Sequence, residues 1–260
     1  MLARDLRCAL DPVVFAAERL SLALDPWQCD VLRGRRLREL LNVTRQGGKS
    51  KSTAVGVLHE GNYRASKTIV ISPSQRQSSL LLASVQELAE LAKIRTRPHP
   101  GDDPGLLLPR GELICLPGAE ATTRGFGGCT WLIVDEAARV PDALFYSAKA
   151  YLATVAGARV WLLSTPFGKR GFFYVEHEAG RYRVTRVLAV DCPRISAEFL
   201  EGERRSLPAP WFRQEYCCEF TTVEHAMFDH DLVMQSIDLE LEPLGLPLLD
   251  PDPLEPLLCR

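Results

Sequence analysis

The most constraining feature of this chain is the segment from Leu40 to Ser50, which reads Leu-Leu-Asn-Val-Thr-Arg-Gln-Gly-Gly-Lys-Ser. An apolar run leads into a Gly-Gly-Lys-Ser turn, and the residues that follow suit a helix. Backbone N–H groups in such a turn, and at the helix N-terminus behind it, face phosphate oxygens. The pattern predicts a phosphate loop at residues 44–50, in which Lys49 reaches the terminal phosphates and Ser50 binds magnesium.

This loop departs from the usual pattern at its first glycine. The usual motif has glycine five residues before the glycine of Gly-Lys-Ser, and Val43 stands at that position here. Because Gly-Lys-Ser alone is common by chance, an ordinary loop before a helix is the alternative interpretation. The apolar run before the loop and the helical pattern after it favour phosphate binding.

A second motif is the apolar run Trp131 to Val134, which ends in Asp135 and Glu136. Such a run suits a strand buried on both faces, and open parallel sheets place their ligands at the carboxyl ends of strands. The alternative is that the two acids cap a following helix. Taken with the phosphate loop, the pair predicts that Asp135 holds magnesium and that Glu136 orients and deprotonates a water molecule.

A third apolar run, from Val160 to Leu163, stops at Ser164, Thr165 and Pro166. We predict a turn after it that contains Gly168, Lys169, Arg170 and Gly171. Small hydroxyl groups at a strand end beside the γ-phosphate would sense whether that phosphate is present. The alternative is that Ser-Thr-Pro simply begins a loop.

Together these motifs resemble the N-terminal ATPase domain of the large terminase subunit of tailed bacteriophages. The match runs from about residue 20 to residue 228, and Arg-Gln before Gly-Gly-Lys-Ser is itself characteristic of that family. In chain order, the matching motifs are Trp27-Gln28, Thr44 to Ser50, Thr123-Arg124-Gly125, Leu132 to Ala137, Leu163 to Pro166, and Phe212 to Phe220.

The resemblance implies an α/β fold of the P-loop NTPase type (RecA/ASCE-like), with a mostly parallel central sheet flanked by helices and an extra strand near the phosphate-loop strand. It implies an ATPase motor that uses ATP and Mg²⁺ to drive double-stranded DNA into a preformed capsid. The implied partners are double-stranded DNA, identical subunits in a ring, the capsid portal and the small terminase subunit. The implied location is the host cytoplasm, with no membrane partner.

The resemblance also implies roles for individual residues. Gln28 would read the adenine edge, Trp27 would pack against the base or the core, and Thr165 would couple hydrolysis to movement. The arginine that completes the site has three candidates: Arg45 from the same subunit, Arg139 offered to a neighbour, and Arg124. The implied ATP-binding residues are Trp27, Gln28, Thr44, Arg45, Gln46, Gly47, Gly48, Lys49 and Ser50, with Ser50 and Asp135 at the metal and Glu136 as the base.

Alternation along the chain agrees with this fold class. We predict helices at 11–22, 26–32, 49–63, 75–92, 142–154, 196–206 and 210–220. We predict strands at 40–43, 68–72, 112–116, 131–134, 159–164 and 182–190, and a loop at 97–105.

For domain organisation we predict an ATPase domain at 1–225, with a helical extension at 1–25, and a Pro/Leu/Asp-rich tail at 226–260. The family protein continues into a nuclease of RNase H type, and the residues after Phe220 are too few to bury a second core. We therefore expect no nuclease activity from this chain. The acids and histidines between 225 and 231 match no metal-ligand spacing.

Charge and composition limit the function further. The formal net charge is −2, which does not by itself indicate a duplex-binding protein, although basic clusters occur at 33–38, at 95–97 and at 169–170. No run approaches the ~18 apolar residues of a membrane span, and no secretory signal is visible. The eight cysteines form no Cys-x-x-Cys motif, which predicts reduced thiols.

Two other functions compete with a packaging motor. A helicase-like ATPase that remodels nucleic acid shares these motifs but needs a second RecA-like domain, for which we see no room. A non-catalytic nucleotide-binding module for assembly is the other; the presence of both Lys49 and Glu136 argues against it.

Overall fold

An eight-stranded sheet lies at the centre of the computed structural model, which describes residues 2–117 and 126–221. Its strands form at the predicted apolar runs, because β-branched and aliphatic side chains fit a pleated surface buried on both faces. The strands are β1 Arg38–Val43, β2 Ser66–Ser72, β3 Arg97–Pro98, β4 Gly105–Leu107, β5 Gly111–Pro117, β6 Trp131–Asp135, β7 Arg159–Ser164 and β8 Arg183–Val187.

The strand order is β3-β4-β5-β2-β6-β7-β1-β8, and all neighbours from β5 to β8 are parallel. This confirms the predicted fold class. Strand β7 lies between β1, which leads into the phosphate loop, and β6, which ends at Asp135, so the extra strand is confirmed as well. In this register Asn42 faces Ser164 and Leu163 faces Asp135, and the three strands therefore end at one edge of the sheet.

Helices cover both faces of the sheet. Side chains alternate along a strand, so Trp131 and Ile133 join one apolar cluster while Leu132 and Val134 join the other. The helices are α1 Leu2–Leu10, α2 Pro12–Leu20, α3 Pro26–Gly34, α4 Lys49–Tyr63, α5 Gln75–Leu91, α6 Asp142–Ala148, α7 Gly171–Glu178, α8 Ala197–Ser206 and α9 Ala209–Tyr216.

Several predicted elements need correction. Helix α7 begins at Gly171, where a turn was predicted. The predicted helix at 142–154 ends at Ala148 and continues as a 3₁₀ turn, Lys149–Leu152. The predicted helix at 210–220 ends at Tyr216 in α9, and the predicted strand at 182–190 is the shorter β8. Helix α4 and strand β7 have the predicted bounds.

The predicted loop at 97–105 also differs, because its two ends pair as the antiparallel strands β3 and β4. His99 N donates to the carbonyl oxygen of Gly105 at 3.0 Å and closes this short hairpin. The prolines that suggested a loop are tolerated here because β3 is the edge strand of the sheet, where a missing N–H donor costs no ladder hydrogen bond.

Some predictions concern residues outside those described. Residues 118–125, which include Arg124, and residues 222–260 belong to this group, so the boundary at 225 and the tail stay predictions. The seven cysteines within 2–117 and 126–221 are all free thiols, as predicted. Over the same residues, no helix combines the length and the hydropathy that a membrane span requires.

Candidate nucleotide-binding site

The phosphate loop turns tightly over the end of β1. Gly47 N donates to the Thr44 carbonyl at 3.1 Å, and Gln46 and Gly48 have positive φ angles of 60° and 95°. A Cβ atom on Gly47 would lie 2.6 Å from Cγ1 of Val43, so the loop closes directly over this buried valine. The close approach requires glycine at 47, whereas Val43 has ordinary strand pairing with Val187 and needs no glycine.

Lys49 folds back into the loop that precedes it. Its Nζ atom donates to the carbonyl oxygens of Val43, at 2.7 Å, and of Thr44, at 3.2 Å. The side chain is buried, and burial lowers the pKa of the Lys49 amine, although the charges of Glu136 and Asp135 act in the opposite direction. The amine is therefore held beside the acidic pair. A phosphate group can replace the two carbonyl oxygens as the acceptor of its hydrogen bonds.

Asp135 is the last residue of β6 and is 7% exposed. Its Oδ1 atom accepts a hydrogen bond from Glu136 N at 3.1 Å. Burial, and then the neighbouring charge of Glu136, raise the pKa of the Asp135 carboxyl to about 6, while Lys49 acts to lower it. The surroundings therefore disfavour the negative charge of Asp135. A bound cation would stabilise that charge.

Glu136 has a left-handed backbone, with φ 50° and ψ 44°. This conformation is uncommon for a residue other than glycine and is found where a site constrains a side chain. The Oε2 atom of Glu136 accepts hydrogen bonds from Arg139 Nη1 at 3.3 Å and from Ser164 Oγ at 3.5 Å. Glu136 therefore has two neighbours that can orient its carboxylate.

A cavity of about 1080 Å³ opens in front of the phosphate loop, large enough for a nucleotide. The predicted residues that line it are Gln28, Arg45, Gln46, Gly47, Gly48, Lys49, Ser50 and Glu136. Leu22, Leu24 and Ile195 provide an apolar part of the wall, and Phe199 of α8 and Tyr216 of α9 lie on the same wall. The structure thus brings most of the predicted nucleotide-binding residues to one opening.

Both described arginine candidates are held by side chains of the same chain. Arg45 lies on the cavity wall with 62% of its side chain exposed, and its Nε atom is 3.3 Å from Oε2 of Glu215. Arg139 contacts Glu136 and also Glu215, with Nη2 3.3 Å from Oε1, and it packs over the Phe167 ring. Arg139 is therefore paired with acids of its own chain, and its contact with a neighbouring subunit stays a prediction.

Gln28 is buried, and both ends of its amide bind the chain itself. Its Oε1 atom accepts from Asp25 N at 2.9 Å, and its Nε2 atom donates to the Gly48 carbonyl at 3.1 Å. An adenine edge would have to replace one of these bonds. Of the two alternatives for Trp27, the structure has the second, because Trp27 packs against the apolar core.

Two further predicted residues lie behind the cavity wall. Thr44 is buried, and its hydroxyl donates to the carbonyl of Glu215 at 2.9 Å. Thr165 is buried after the end of β7, and it is Ser164 whose hydroxyl contacts Glu136. The hydroxyl that contacts the predicted base therefore belongs to Ser164, the residue before Thr165.

Sequence reasoning gave no role to two residues that contact the loop. Arg194 forms a bidentate pair with Asp25, at 2.8 and 2.7 Å, and donates to the Gly47 carbonyl at 3.0 Å. Glu215 contacts both Arg45 and Arg139. Arg194 has no local signal in the sequence, whereas Glu215 lies inside the motif 212–220 that supported the family resemblance.

The donors present fit a nucleotide with magnesium. Ser50 lines the cavity and Asp135 supplies a carboxylate, and such oxygen ligands suit Mg²⁺. Within residues 2–117 and 126–221, no cluster of three or more His, Cys, Asp or Glu residues forms a metal site. A magnesium ion would therefore need phosphate oxygens and water in addition to protein ligands, which is its usual mode of binding with nucleotides.

Comparison with solved structures supports the resemblance seen in the motifs. The ATPase domain of the large terminase from Thermus phage P74-26 matches with TM-score 0.68 and 20% identity, over 81% of this chain and 99% of that one. The large terminase of a second thermophilic bacteriophage matches with TM-score 0.67 and 14% identity, over 81% of this chain and 57% of that one. The HK97 large terminase matches with TM-score 0.61 and 15% identity, over 76% of this chain and 51% of that one.

These similarities confirm the predicted resemblance at the level of the fold. The chain spans the whole P74-26 ATPase domain and about half of the other two proteins. The terminase of the second thermophilic phage has also been solved with ADP and with ATP-γ-S. No protein-family model matches the sequence, and no curated protein matches it.

Proposed function

We propose that this chain is the ATPase of a DNA-packaging motor, which hydrolyses ATP to move double-stranded DNA into a procapsid. The observation that carries the proposal is the strand order. It brings Lys49, after β1, and the pair Asp135 and Glu136, at the end of β6, to one edge of the sheet, where Lys49 and Glu136 line one cavity. The ADP and ATP-γ-S complexes of the second thermophilic phage's terminase, which shares this fold, support a nucleotide as the ligand.

In this mechanism each side chain has a chemical task. Lys49 exchanges its two carbonyl partners for oxygens of the terminal phosphates. Ser50 and Asp135 hold magnesium, which when bound neutralises charge on the phosphates. Glu136 orients the attacking water molecule and accepts its proton. Arg45, already on the cavity wall, provides positive charge for the transferring phosphate.

The route from hydrolysis to movement begins at the end of β7. The Ser164 hydroxyl lies 3.5 Å from Glu136, so a change at the base reaches the segment Ser164-Thr165-Pro166 directly. We assign this segment the coupling role. Thr165 is buried, and the contact with Glu136 is made by Ser164. Thr165 takes part in coupling because it follows Ser164 at the end of β7.

The arginine clusters differ in their availability for DNA. In the cluster 33–38, Arg33, Arg35 and Arg36 form ion pairs with acids of the same chain. Arg95 and Arg97 are exposed and line a separate cleft. We therefore propose that the cluster 95–97, and not the cluster 33–38, contacts DNA. A ring of such subunits would bind the duplex weakly at several points, with the capsid portal and the small terminase subunit as further partners in the host cytoplasm.

The decisive test is Glu136→Gln, measured by ATP-γ-S binding and by phosphate release. We expect binding to remain and turnover to fall at least ~100-fold, because the water molecule loses its base. Glu87→Gln, on the exposed face of α5, is the matched control and should retain full activity. Normal turnover by Glu136→Gln would overturn the assignment.

The same assay separates a motor with shared sites from the non-catalytic assembly module. A rate per subunit that rises with protein concentration indicates a site shared between subunits, as expected for a ring. Nucleotide binding without hydrolysis at any concentration, with DNA present, would instead indicate the non-catalytic assembly module.

A further inference from the structure

Glu215 lies between the two described arginine candidates. Its carboxylate is 3.3 Å from Arg45 through Oε2 and 3.3 Å from Arg139 through Oε1, and only 7% of the side chain is exposed. Gln214 also donates to Oε1, at 3.4 Å. One buried carboxylate from the last turn of α9 therefore contacts both guanidinium groups.

The main chain of the same residue is bonded to the phosphate loop. The Glu215 carbonyl accepts hydrogen bonds from the Thr44 hydroxyl at 2.9 Å and from Arg45 N at 3.3 Å. Three residues later, the Cys218 carbonyl accepts from Asn42 Nδ2 at 3.0 Å. Because the backbone already holds α9 against the loop, the docking of this helix does not require the Glu215 carboxylate.

The side chains form a row of alternating charge. Arg45 pairs with Glu215, Glu215 pairs with Arg139, and Arg139 pairs with Glu136. The first member lines the nucleotide cavity and the last is the proposed base. In such a row, a partner lost at one end changes the pairing at the other.

We propose that Glu215 is a positioning residue of the nucleotide site, which holds Arg45 at rest and controls whether Arg139 pairs with Glu136. This inference rests on the proposed ATPase function. Entering phosphates compete with Glu215 for Arg45. Once Arg45 has left, Glu215 attracts Arg139 more strongly. Glu136 then loses its contact with Arg139 and is free to orient the water molecule. Because Glu215 belongs to α9, the same exchange also changes the contacts of α9 when a nucleotide binds.

A purely structural explanation accounts poorly for this arrangement. A buried carboxylate with two cationic partners carries a large desolvation cost, and a neutral side chain of the same size would fill the space without it. The charge of Glu215 is therefore informative, because it acts on both described candidates for the arginine that completes the site.

The test is Glu215→Gln, which keeps the shape and removes the charge. We expect ADP to bind about fivefold more tightly, because Arg45 is released to the phosphates, and kcat to fall about tenfold, because Arg139 stays on Glu136. Glu219→Gln is the control, since Glu219 is nearly half exposed and its nearest cation, Arg213, is 4.0 Å away. It should leave both values unchanged.

A double-mutant cycle makes the role specific. In an Arg45→Ala background, Glu215→Gln should no longer change the affinity for ADP, because the residue through which it acts is gone. An unchanged kcat and ADP affinity in Glu215→Gln would overturn the proposal. So would a parallel loss of binding, activity and thermal stability, which would indicate a structural role. If the wild-type protein binds no nucleotide, the proposed function is wrong. This result is distinguishable from failure of the Glu215 proposal, because it is obtained with the wild type before any variant is compared.

Discussion

The Nζ atom of Lys49 lies 2.7 Å from the carbonyl oxygen of Val43, the residue at which β1 ends. The ammonium group is thus buried within its own loop. Burial lowers its pKa, and two carbonyl oxygens accept its hydrogen bonds. A phosphate that replaces these carbonyls gives the amine a charged partner. Under the proposed function, Lys49 would exchange these two carbonyl partners for phosphate oxygens.

We predict that Lys49→Ala abolishes stabilisation by nucleotide. At a ligand concentration 100 times Kd, a single site stabilises the folded state by about 2.7 kcal/mol, which a thermal melt detects readily. The wild-type protein should show this shift with Mg²⁺ and ATP-γ-S, and the variant should show almost none.

Lys93→Ala provides the control for Lys49→Ala. Lys93 is exposed and lines a different cleft, so its variant should melt as the wild type does with and without nucleotide. An equal shift in Lys49→Ala and wild type would mean that the lysine does not reach the phosphates.

We predict that Asp135→Asn stabilises the protein in the absence of metal and nucleotide. The pKa of Asp135 is raised from its ordinary value of 3.8 to about 6, so at neutral pH the folded state carries a charge that its surroundings disfavour. An asparagine oxygen can still accept the hydrogen bond from Glu136 N. The gain should be about 2 kcal/mol at pH 7.5 by urea denaturation, together with a loss of turnover.

The pH dependence of that gain is a sharper test. A raised folded-state pKa means that the folded protein binds the proton more tightly, so the stabilising effect of protonation is complete below pH 3.8 and is lost as the pH rises through about 6. The difference between variant and wild type should therefore grow between pH 4 and pH 6 and stay constant above pH 7. A difference that is independent of pH would contradict the burial of this carboxyl group.

We predict that Glu60→Gln is strongly destabilising. Glu60, near the end of α4, pairs with Arg35 at 3.1 Å, with Arg159 at 3.1 Å and with Arg64 at 3.4 Å. Arg159 is buried over the Trp131 ring, and burial lowers its pKa. Removal of the central negative charge leaves these cations uncompensated, so the free energy of unfolding should fall by about 3 kcal/mol.

Glu201→Gln tests whether burial is the reason. Glu201 on α8 also pairs with two arginines, Arg204 and Arg205, but its side chain is 44% exposed. Its substitution should change the free energy of unfolding by less than about 0.5 kcal/mol. Similar losses in the two variants would show that the number of ion pairs, and not their burial, determines the effect.

The strands and helices nearest the site could be predicted because their signals are local. Continuous apolar runs end at Val134 and at Leu163, and polar residues follow each of them at the edge of the sheet. Helix α4 begins directly after Gly48, whose left-handed backbone starts the helix, and the prediction placed its first residue correctly. For these elements the sequence pattern and the tertiary environment agree.

Helix α7 could not be predicted in the same way because its N-terminal partner comes from elsewhere. Phe172 N donates to Oδ1 of Asp142, which lies in the first turn of α6. The residues around Gly171 therefore show no capping residue of their own and read as a turn. The pairing of β4 with β5 depends likewise on a neighbouring strand, which no local pattern reveals.

The site shows the same division. The loop, the acidic pair and the resemblance identified the residues of the phosphate-loop side of the cavity, together with Gln28 and Glu136. The partners of Arg45 and Arg139 were not identified, because Glu215 reaches them only after α9 folds back on the sheet. The orientation of Arg139 toward Glu136 and Glu215 is likewise a tertiary property of the chain.

The hydrogen bonds from the phosphate loop to the carbonyl of Glu215 have a practical consequence for anyone who trims this domain. A recombinant protein that stops at residue 208 would lack α9, and the Thr44 hydroxyl and the Arg45 amide would lose their acceptor. Limited proteolysis just before α9 should therefore abolish the proposed ATPase activity while Lys49, Asp135 and Glu136 are still attached. Expression boundaries for the shortest folded site belong beyond Cys218, whose carbonyl accepts a hydrogen bond from Asn42.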